Sequence, residues 1–525
     1  LRGMFAFGFW SARTGELTIA RDPLGIKPLY VARNTDPKGV WSMVFASEVR
    51  AILASGLIAH PRLSPSAPAS VIWNGFMVAP STAVEQIESI MPGELRIYDR
   101  RGMESRRRSY WTGRSDPGAA AMAEDELARE LEESVRLHLA SDVPLGVFLS
   151  GGVDSSAVAN LAQKAAGSRV NTFTLNFDEA EYSEGGVARR VAEAIGTRHH
   201  EMVLTEANFV GRLESALDSL DQPSFDGLNS YFMSHAVREA GFKVALVGSG
   251  GDELFGGYTS FRDLPKLMRW CRLSSWLPKR VRAALGRAVA SALQPARGRF
   301  PPQTRWAKLP DMIEHGEDPM ALYQLAYALF VPETQRRLLR GHQDVLADGL
   351  PAQMRQRLEE LDTAAQDDGT LARIARLEQT LFLGERLLRD TDAASMSASI
   401  EIRLPLVDQV LVERVGRMPT ATRFDPVGKK AALRRAGLRG LDARLFERPK
   451  SGFVLPYDRW LRSGLGQAID GTMRDSRAIE ATGLDPAAIV DLWDAYRKGA
   501  PGLYWSRVWA IYAYVRWCQR HRVSL

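Results

Sequence analysis

The sequence predicts an α/β protein: a doubly wound parallel sheet, a long helical part after it, and an antiparallel, strand-rich α+β segment before it. Three observations carry this prediction. Short apolar runs divided by glycine and proline turns fill residues 5–46. Strand, loop and helix patterns then alternate between residues 146 and 247. From about residue 261 onward the pattern is almost wholly helical.

In the first segment, residues 5–10, 17–20, 29–32 and 41–46 read as strands, separated by Gly15, the Pro23-Leu24-Gly25 turn and Asp36-Pro37. Strands joined by such short connections pair antiparallel, because a parallel crossover needs a longer link. Residues 113–122 hold Ser115-Asp116-Pro117-Gly118 and an alanine run, and read as a linker between a unit at 1–112 and one at 123–525. A helix follows, with Leu127, Leu131, Val135 and Leu139 at four-residue spacing. Next come a strand at 146–149, a helix at 155–166 ended by Gly167, and a strand at 170–177. A helix at 187–195 ended by Gly196, a strand at 199–204, a helix at 231–240 and a strand at 243–247 complete the alternation. Strands alternating with helices of this size predict parallel pairing with crossover helices.

A chain of 525 residues is too long for one core and suits about two to four domains. It is 45% hydrophobic and 25% charged, the balance of a folded soluble protein. Its two cysteines, Cys271 and Cys518, cannot build a disulfide framework or a zinc cluster, which fits a reducing, cytoplasmic setting. No apolar run approaches the roughly 20 residues of a transmembrane helix, and Leu1-Arg2-Gly3-Met4 is not the start of a signal peptide.

The net charge of +6 is unevenly placed. Residues 262–308 carry twelve Lys or Arg against one acid, Asp263, which leaves the rest of the chain near −5. The same stretch contains Leu264, Leu267, Trp270, Leu273, Trp276 and Leu277, an amphipathic composition suited to a membrane surface or a polyanion. Pro265, Pro278 and Pro295 cut it into short helices of the kind that pack on their own domain. No recognised nucleic-acid motif accompanies the charge, so no nucleic acid partner is expected.

Two loops carry chemistry. Ser150-Gly151-Gly152-Val153-Asp154-Ser155 stands between a predicted strand ending at Leu149 and a predicted helix. Glycines let backbone N–H groups converge, and a helix N-terminus behind them favours an anion. Ser150 and Ser155 add hydroxyl donors, while Asp154 beside phosphates implies a magnesium ion between them. The loop lacks the Gly-Lys-Ser/Thr ending of a Walker loop, so cleavage at the γ-phosphate is not its obvious use. The plain alternative is a glycine-rich turn with a capping serine. Val247-Gly248-Ser249-Gly250-Gly251-Asp252-Glu253 follows another predicted parallel strand. Strand ends on one edge of such a sheet converge, so Asp252 is expected to face Asp154 across a nucleotide. An ordinary acidic turn is the bland reading, and it weakens because two such loops occupy equivalent positions.

These stretches resemble the glutamine-dependent asparagine synthetase family. Residues 142–152, Asp-Val-Pro-Leu-Gly-Val-Phe-Leu-Ser-Gly-Gly, resemble its pyrophosphate loop, and Gly250 to Tyr258 its second ATP motif. Ser395-Met396-Ser397, Glu401-Ile402-Arg403 with Pro405 and Asp408, and Arg448 to Phe453 resemble later blocks. Gly3 to Phe7, Ala20 to Tyr30 and Ala46-Ser47-Glu48 resemble the closing part of its N-terminal glutaminase domain. The resemblance implies an ATP-pyrophosphatase domain at 123–525 preceded by a truncated Ntn-type glutaminase at 1–112. It implies that ATP transfers AMP to a carboxylate, releasing pyrophosphate, and that ammonia then displaces AMP to leave an amide. Asp154 and Asp252 match the magnesium-binding acids. Lys430, in Gly428-Lys429-Lys430-Ala431-Ala432-Leu433-Arg434, matches the lysine that neutralises phosphate charge; Lys429 is its neighbour and competitor. Leu149, Ser150, Gly151, Gly152 and Ser155, with Gly248, Ser249 and Gly250, are the expected ATP and pyrophosphate contacts. Lys450 and Arg403 carry weaker cases and read equally as ion-pair partners.

Two departures shape the expectation. The family's glutaminase nucleophile is an N-terminal cysteine, whereas residue 1 is Leu1, and Cys271 and Cys518 fall in predicted helices. The chain as written is therefore expected to use ammonia rather than glutamine, with glutamine the donor in a full-length form. At Ser249 the family commonly carries an acid, and serine is a far weaker base. The favoured acceptor is aspartate, giving asparagine; the alternatives are a sugar acid of surface polysaccharide or a β-lactam-forming or peptide-cyclising reaction. A nucleotide-binding protein without catalysis is a third reading, disfavoured by the two facing acids. Expected partners are small molecules, and a homodimer is left open. His199-His200-Glu201 is assigned a structural role, since adjacent strand residues point to opposite faces. Glu385, Arg389, Asp390 and Asp392 read as a buried polar network near the substrate or as a salt-bridged helix face.

Overall fold

The computed structural model describes residues 1–34, 39–111, 113, 122–293, 301–316, 318–340, 348–363, 369–447 and 453–525. Most of the expected linker and the segment holding Lys450 lie outside the described residues.

The first unit is built from β1 (Ala6–Ser11), β2 (Glu16–Arg21), β3 (Tyr30–Arg33), β4 (Met43–Ala46), β5 (Ile87–Ser89), β6 (Glu94–Tyr98) and β7 (Glu104–Ser109). They form two antiparallel sheets, in the orders β1-β2-β6-β7 and β4-β3-β5. Ile19 and Tyr98 of the larger sheet meet Val31 of the smaller one in a buried cluster with Leu29 and Ile90. The four strands expected from the sequence are present; β5, β6 and β7 are additions. β7 reads Glu-Ser-Arg-Arg-Arg-Ser, and its nearly exposed face gave no apolar alternation to read.

The second unit centres on a five-stranded parallel sheet of β8 (Leu145–Phe148), β9 (Asn171–Phe177), β10 (Arg198–Leu204), β11 (Val244–Leu246) and β12 (Glu401–Arg403). Its order is β10-β9-β8-β11-β12, so the winding reverses between β8 and β11. Phe173 of β9 is fully buried, and Gly146 of β8 leaves it room, because any Cβ there would overlap the ring. Helix Glu124–His138 buries Leu127, Leu131 and Val135, the stripe expected from their spacing. Among the described residues beyond 261 the named elements are helices except for β12, a three-residue edge strand too short to show a period. Among the described residues no helix is long and apolar enough to cross a membrane.

The units are tied together by ion pairs. Arg2 donates to both oxygens of Asp408, at 2.9 and 2.8 Å, and Lys27 pairs with Asp392 at 2.5 Å. Arg389 Nη1 donates to the Met77 carbonyl at 2.7 Å, and Glu385 accepts from the Ala79 amide at 2.7 Å. The charged helix read as near-substrate or salt-bridged thus faces the first unit.

Candidate active site

The two glycine loops leave β8 and β11, neighbouring strands on either side of the point where the winding reverses. Crevices at such a point are where open α/β sheets bind ligands. After β8 the Leu149 amide donates to Phe173, and Thr174 bonds the Leu149 carbonyl, so the loop starts from a fixed strand end. Ser155 Oγ accepts from the Ser150 amide at 3.2 Å and lies 3.0 Å from Ser150 Oγ, folding the loop over the first turn of helix Val153–Ala165.

The second loop lies directly against the first. A Cβ on Gly248 would come within 2.5 Å of the Ser155 amide nitrogen, so only glycine permits this approach. Gly250 has φ +104°, a conformation that L side chains rarely adopt, and it turns the chain into the short helix Gly251–Phe255. A Cβ on Gly251 would overlap the Asp154 carboxylate. The glycines are spaced so that Asp154 and Asp252 fit beside one another.

Lys430 closes the arrangement. Its Nζ donates to both Asp154 oxygens at 2.7 Å and to Asp252 Oδ1 at 2.7 Å. It is only 7% exposed. Burial works against its charge, but the two carboxylates, by charge and by hydrogen bond, outweigh it and hold the ammonium above the usual lysine range. Local packing explains the placement. Lys430 has φ +51° and precedes helix Ala431–Gly437. That helix sits hard against helix Val153–Ala165: a Cβ on Gly437 would come within 2.7 Å of the Ala157 Cβ, and Asn160 donates to the Gly437 carbonyl at 2.8 Å. Lys429 is exposed, although it too lines the cavity described below; its carbonyl accepts from Arg434.

These groups line a cavity of about 450 Å³. Leu149, Ser150, Gly151, Gly152, Asp154, Ser155, Gly248, Ser249, Gly250, Asp252 and Lys430 all lie on its wall, so every expected site residue is brought to one place. A magnesium ion and nucleotide phosphates fit this donor set. Among the described residues no group of three or more His, Cys, Asp or Glu side chains could hold a metal. Two carboxylates alone suit an ion that keeps waters and shares phosphate oxygens, which is how magnesium is usually held.

The family model for asparagine synthase matches residues 126–519, and that for a glutamine amidotransferase domain matches residues 1–111. The chain belongs to the asparagine synthase family. Putative asparagine synthetases (glutamine-hydrolyzing) of Mycobacterium bovis and Mycobacterium tuberculosis are each 31% identical over 98% of this chain and 76% of their own length. Asparagine synthetase (glutamine-hydrolyzing) 1 of Bacillus subtilis is 26% identical over 91% of the chain and 71% of its own. Amidase chyE of Penicillium rubens is 27% identical, covering 83% and 66%. The chain is thus an amidotransferase ligase of the asparagine synthetase type.

Within this family setting, the cavity wall holds residues that sequence reading did not assign. Arg434, in the helix that Lys430 precedes, reaches the same cavity. Burial lowers its pKa. Glu253 is buried, and burial with the Asp252 charge beside it pushes its carboxyl up to about 8; Tyr258 donates to it at 2.8 Å. Other candidates fall elsewhere. Arg403 pairs with Glu401 and donates to the His138 and Ala140 carbonyls, a structural tie. His199 contacts Thr172 and His200 contacts Asn171, while Glu201 pairs with Arg189, consistent with the structural role assigned to them. Cys271 and Cys518 are buried in helices Ser260–Leu273 and Trp505–His521.

Proposed function

We propose that this chain activates a carboxylate with ATP, releasing pyrophosphate, and converts it to an amide with ammonia, the favoured acceptor being aspartate and the product asparagine. The observation that carries the reading is Lys430 held against Asp154 and Asp252 on the wall of one cavity. A cation shared by two acids, beside converging backbone amides, is an arrangement for polyphosphate charge. Asp154 and Asp252 are the residues that would hold a magnesium ion, whose contribution when bound is to neutralise the pyrophosphate as it leaves. Ser150, Gly151, Gly152 and Ser155, with Gly248, Ser249 and Gly250, would orient the phosphates through amides and hydroxyls. Lys430, with Arg434 one turn away, would share the phosphate charge.

The same reading assigns residues 1–112 to part of an Ntn-type glutaminase unit, residues 113–122 to a linker, and residues 123–525 to a doubly wound synthetase unit. The experiment is pyrophosphate release with magnesium, ATP, ammonium and a panel of carboxylic acids: aspartate, uronic acids and short peptides. Turnover that requires both a carboxylate and ammonium supports the reading, and ATP turnover indifferent to both sinks it.

A second reading takes a larger acceptor. Ser249 lines the cavity where the resemblance expects an acid, and a small neutral side chain leaves room for a sugar acid or peptide. Two relatives named amidases support this reading.

A further inference from the structure

No described residue of the basic segment singled out in the sequence lines the cavity, and the structure shows what the segment presents. Helix Ser260–Leu273 is followed by a turn and by helix Lys279–Leu293. Arg282 is buried and donates to the Cys271 carbonyl at 3.0 Å, fixing the corner between them. The second helix has a clear inner face: Ala283, Gly286 and Ala290 are buried, and a Cβ on Gly286 would come within 2.5 Å of Ile313. Its outer face is apolar as well. Val281, Leu285 and Val289 follow one another at four-residue spacing, and each is nearly half exposed. At the corner Leu273 is 70% and Trp276 78% exposed.

Among the described residues, exposed large apolar side chains concentrate here. Three of the four exposed tryptophans, Trp270, Trp276 and Trp306, fall between residues 270 and 306. Arg262, Lys266, Arg269, Arg272, Arg280 and Arg287 are exposed along the same two helices. The one acid, Asp263, is spent on Arg262 and Arg305.

We propose that this helix–turn–helix corner docks the protein onto an anionic phospholipid surface, with Leu273 and Trp276 entering the interface and the arginines meeting lipid phosphates. Charge complementarity selects this occupant over an uncharged one. The sequence from 262 to 308 is +11 in a chain whose remainder is near −5; Arg282 and Lys308 are buried, and the six exposed basic side chains of the two helices are what a negative surface attracts. Tryptophan and leucine flanked by basic residues are the composition of helices that lie in a membrane interface without crossing it. An exposed apolar helix face joined in sequence to Leu273 and Trp276 is the kind of surface that marks an interaction site.

The test is co-sedimentation of the full chain with vesicles of phosphatidylcholine alone and of phosphatidylcholine with phosphatidylglycerol. Binding is expected to the second and not the first, and to weaken steeply with salt, as exposed charge pairs do. Leu273→Ser with Trp276→Ser should weaken it about a hundredfold, the scale expected when two interfacial apolar anchors are lost, with pyrophosphate release unchanged. Arg269→Glu with Arg272→Glu should abolish the preference for the anionic vesicles. No binding, equal binding to both vesicles, or binding indifferent to both double variants overturns the proposal. So does a dimer in sedimentation that Trp276→Ser splits, which would make the corner a contact between copies.

Discussion

Lys430 and Asp154 meet as a two-point pair: the lysine Nζ lies 2.7 Å from each carboxylate oxygen. The residues are 276 positions apart, Asp154 in one helix and Lys430 just before another, so the contact reports the tertiary fold rather than local sequence. Asp252 shares the same ammonium at 2.7 Å. Replacing the lysine leaves the two carboxylates side by side without their common cation. Lys430→Met should destabilise the protein by about 3 kcal/mol, the lower end for breaking a buried pair. Millimolar magnesium should raise the melting temperature of the variant more than that of the unmodified protein, because the ion takes up the charge that the lysine had balanced. A variant of unchanged stability, or one indifferent to magnesium, would separate the acids from any metal role.

Asp154→Ala and Asp252→Ala should each remove magnesium-dependent ATP turnover while leaving circular dichroism unchanged. In either variant Lys430 retains one carboxylate, so the loss of packing is small. Near-normal turnover with the same magnesium dependence in either one would show that the loops do not act together.

Ser249 distinguishes the acceptors. If aspartate is the acceptor, Ser249→Glu supplies a base for ammonia and should raise the aspartate- and ammonium-dependent rate by about 10²-fold, the lower range for general-base catalysis. With a larger acceptor, the added bulk and charge should lower the native rate. The comparison is amide formation from aspartate and from a uronic acid at one saturating ammonium concentration. Brisk aspartate turnover by the unmodified protein with no gain from the substitution would place the base at another residue.

The acids of the site were legible because each stands in a short, local pattern. Asp154 and Asp252 both follow a strand and a glycine-rich turn, and strand ends converge in a parallel sheet. Lys430 was reached through the family resemblance instead, since nothing in Lys429-Lys430 separates a solvated lysine from a buried one. The decision between them lies in the packing of Gly437 on Ala157 and in the φ of +51° at Lys430. Arg434 stood in the same motif and was passed over. Other features left no local trace. β7 carries three consecutive arginines in place of an apolar alternation, and β12 spans three residues. Glu378 is bonded by Ser260, Tyr323 and Tyr327, which come from two other helices.

That last cluster gives a pH prediction. Burial pushes the Glu378 carboxyl from the ordinary 4.5 up to about 7. Between those values the unfolded chain has released the proton and the folded one has kept it, so stability falls as pH rises through this window. The accumulated cost is on the order of 3 kcal/mol above pH 7. Glu378→Gln removes it. The urea midpoint of the variant should therefore gain on that of the unmodified protein between pH 4.5 and 7 and run parallel to it above. A constant difference across the window would mean that Glu378 is ionised in the folded protein.

The central claim is that Lys430, Asp154 and Asp252 serve the transfer of AMP to a carboxylate, and carboxylate-dependent exchange of labelled pyrophosphate into ATP measures that step alone. Exchange without ammonium isolates it from amide formation. The account predicts that label enters ATP only with magnesium and an accepted carboxylate, and that Lys430→Met or Asp252→Ala abolishes it. Release of ADP and phosphate in place of AMP and pyrophosphate, or exchange undiminished in the Lys430→Met protein, would contradict it.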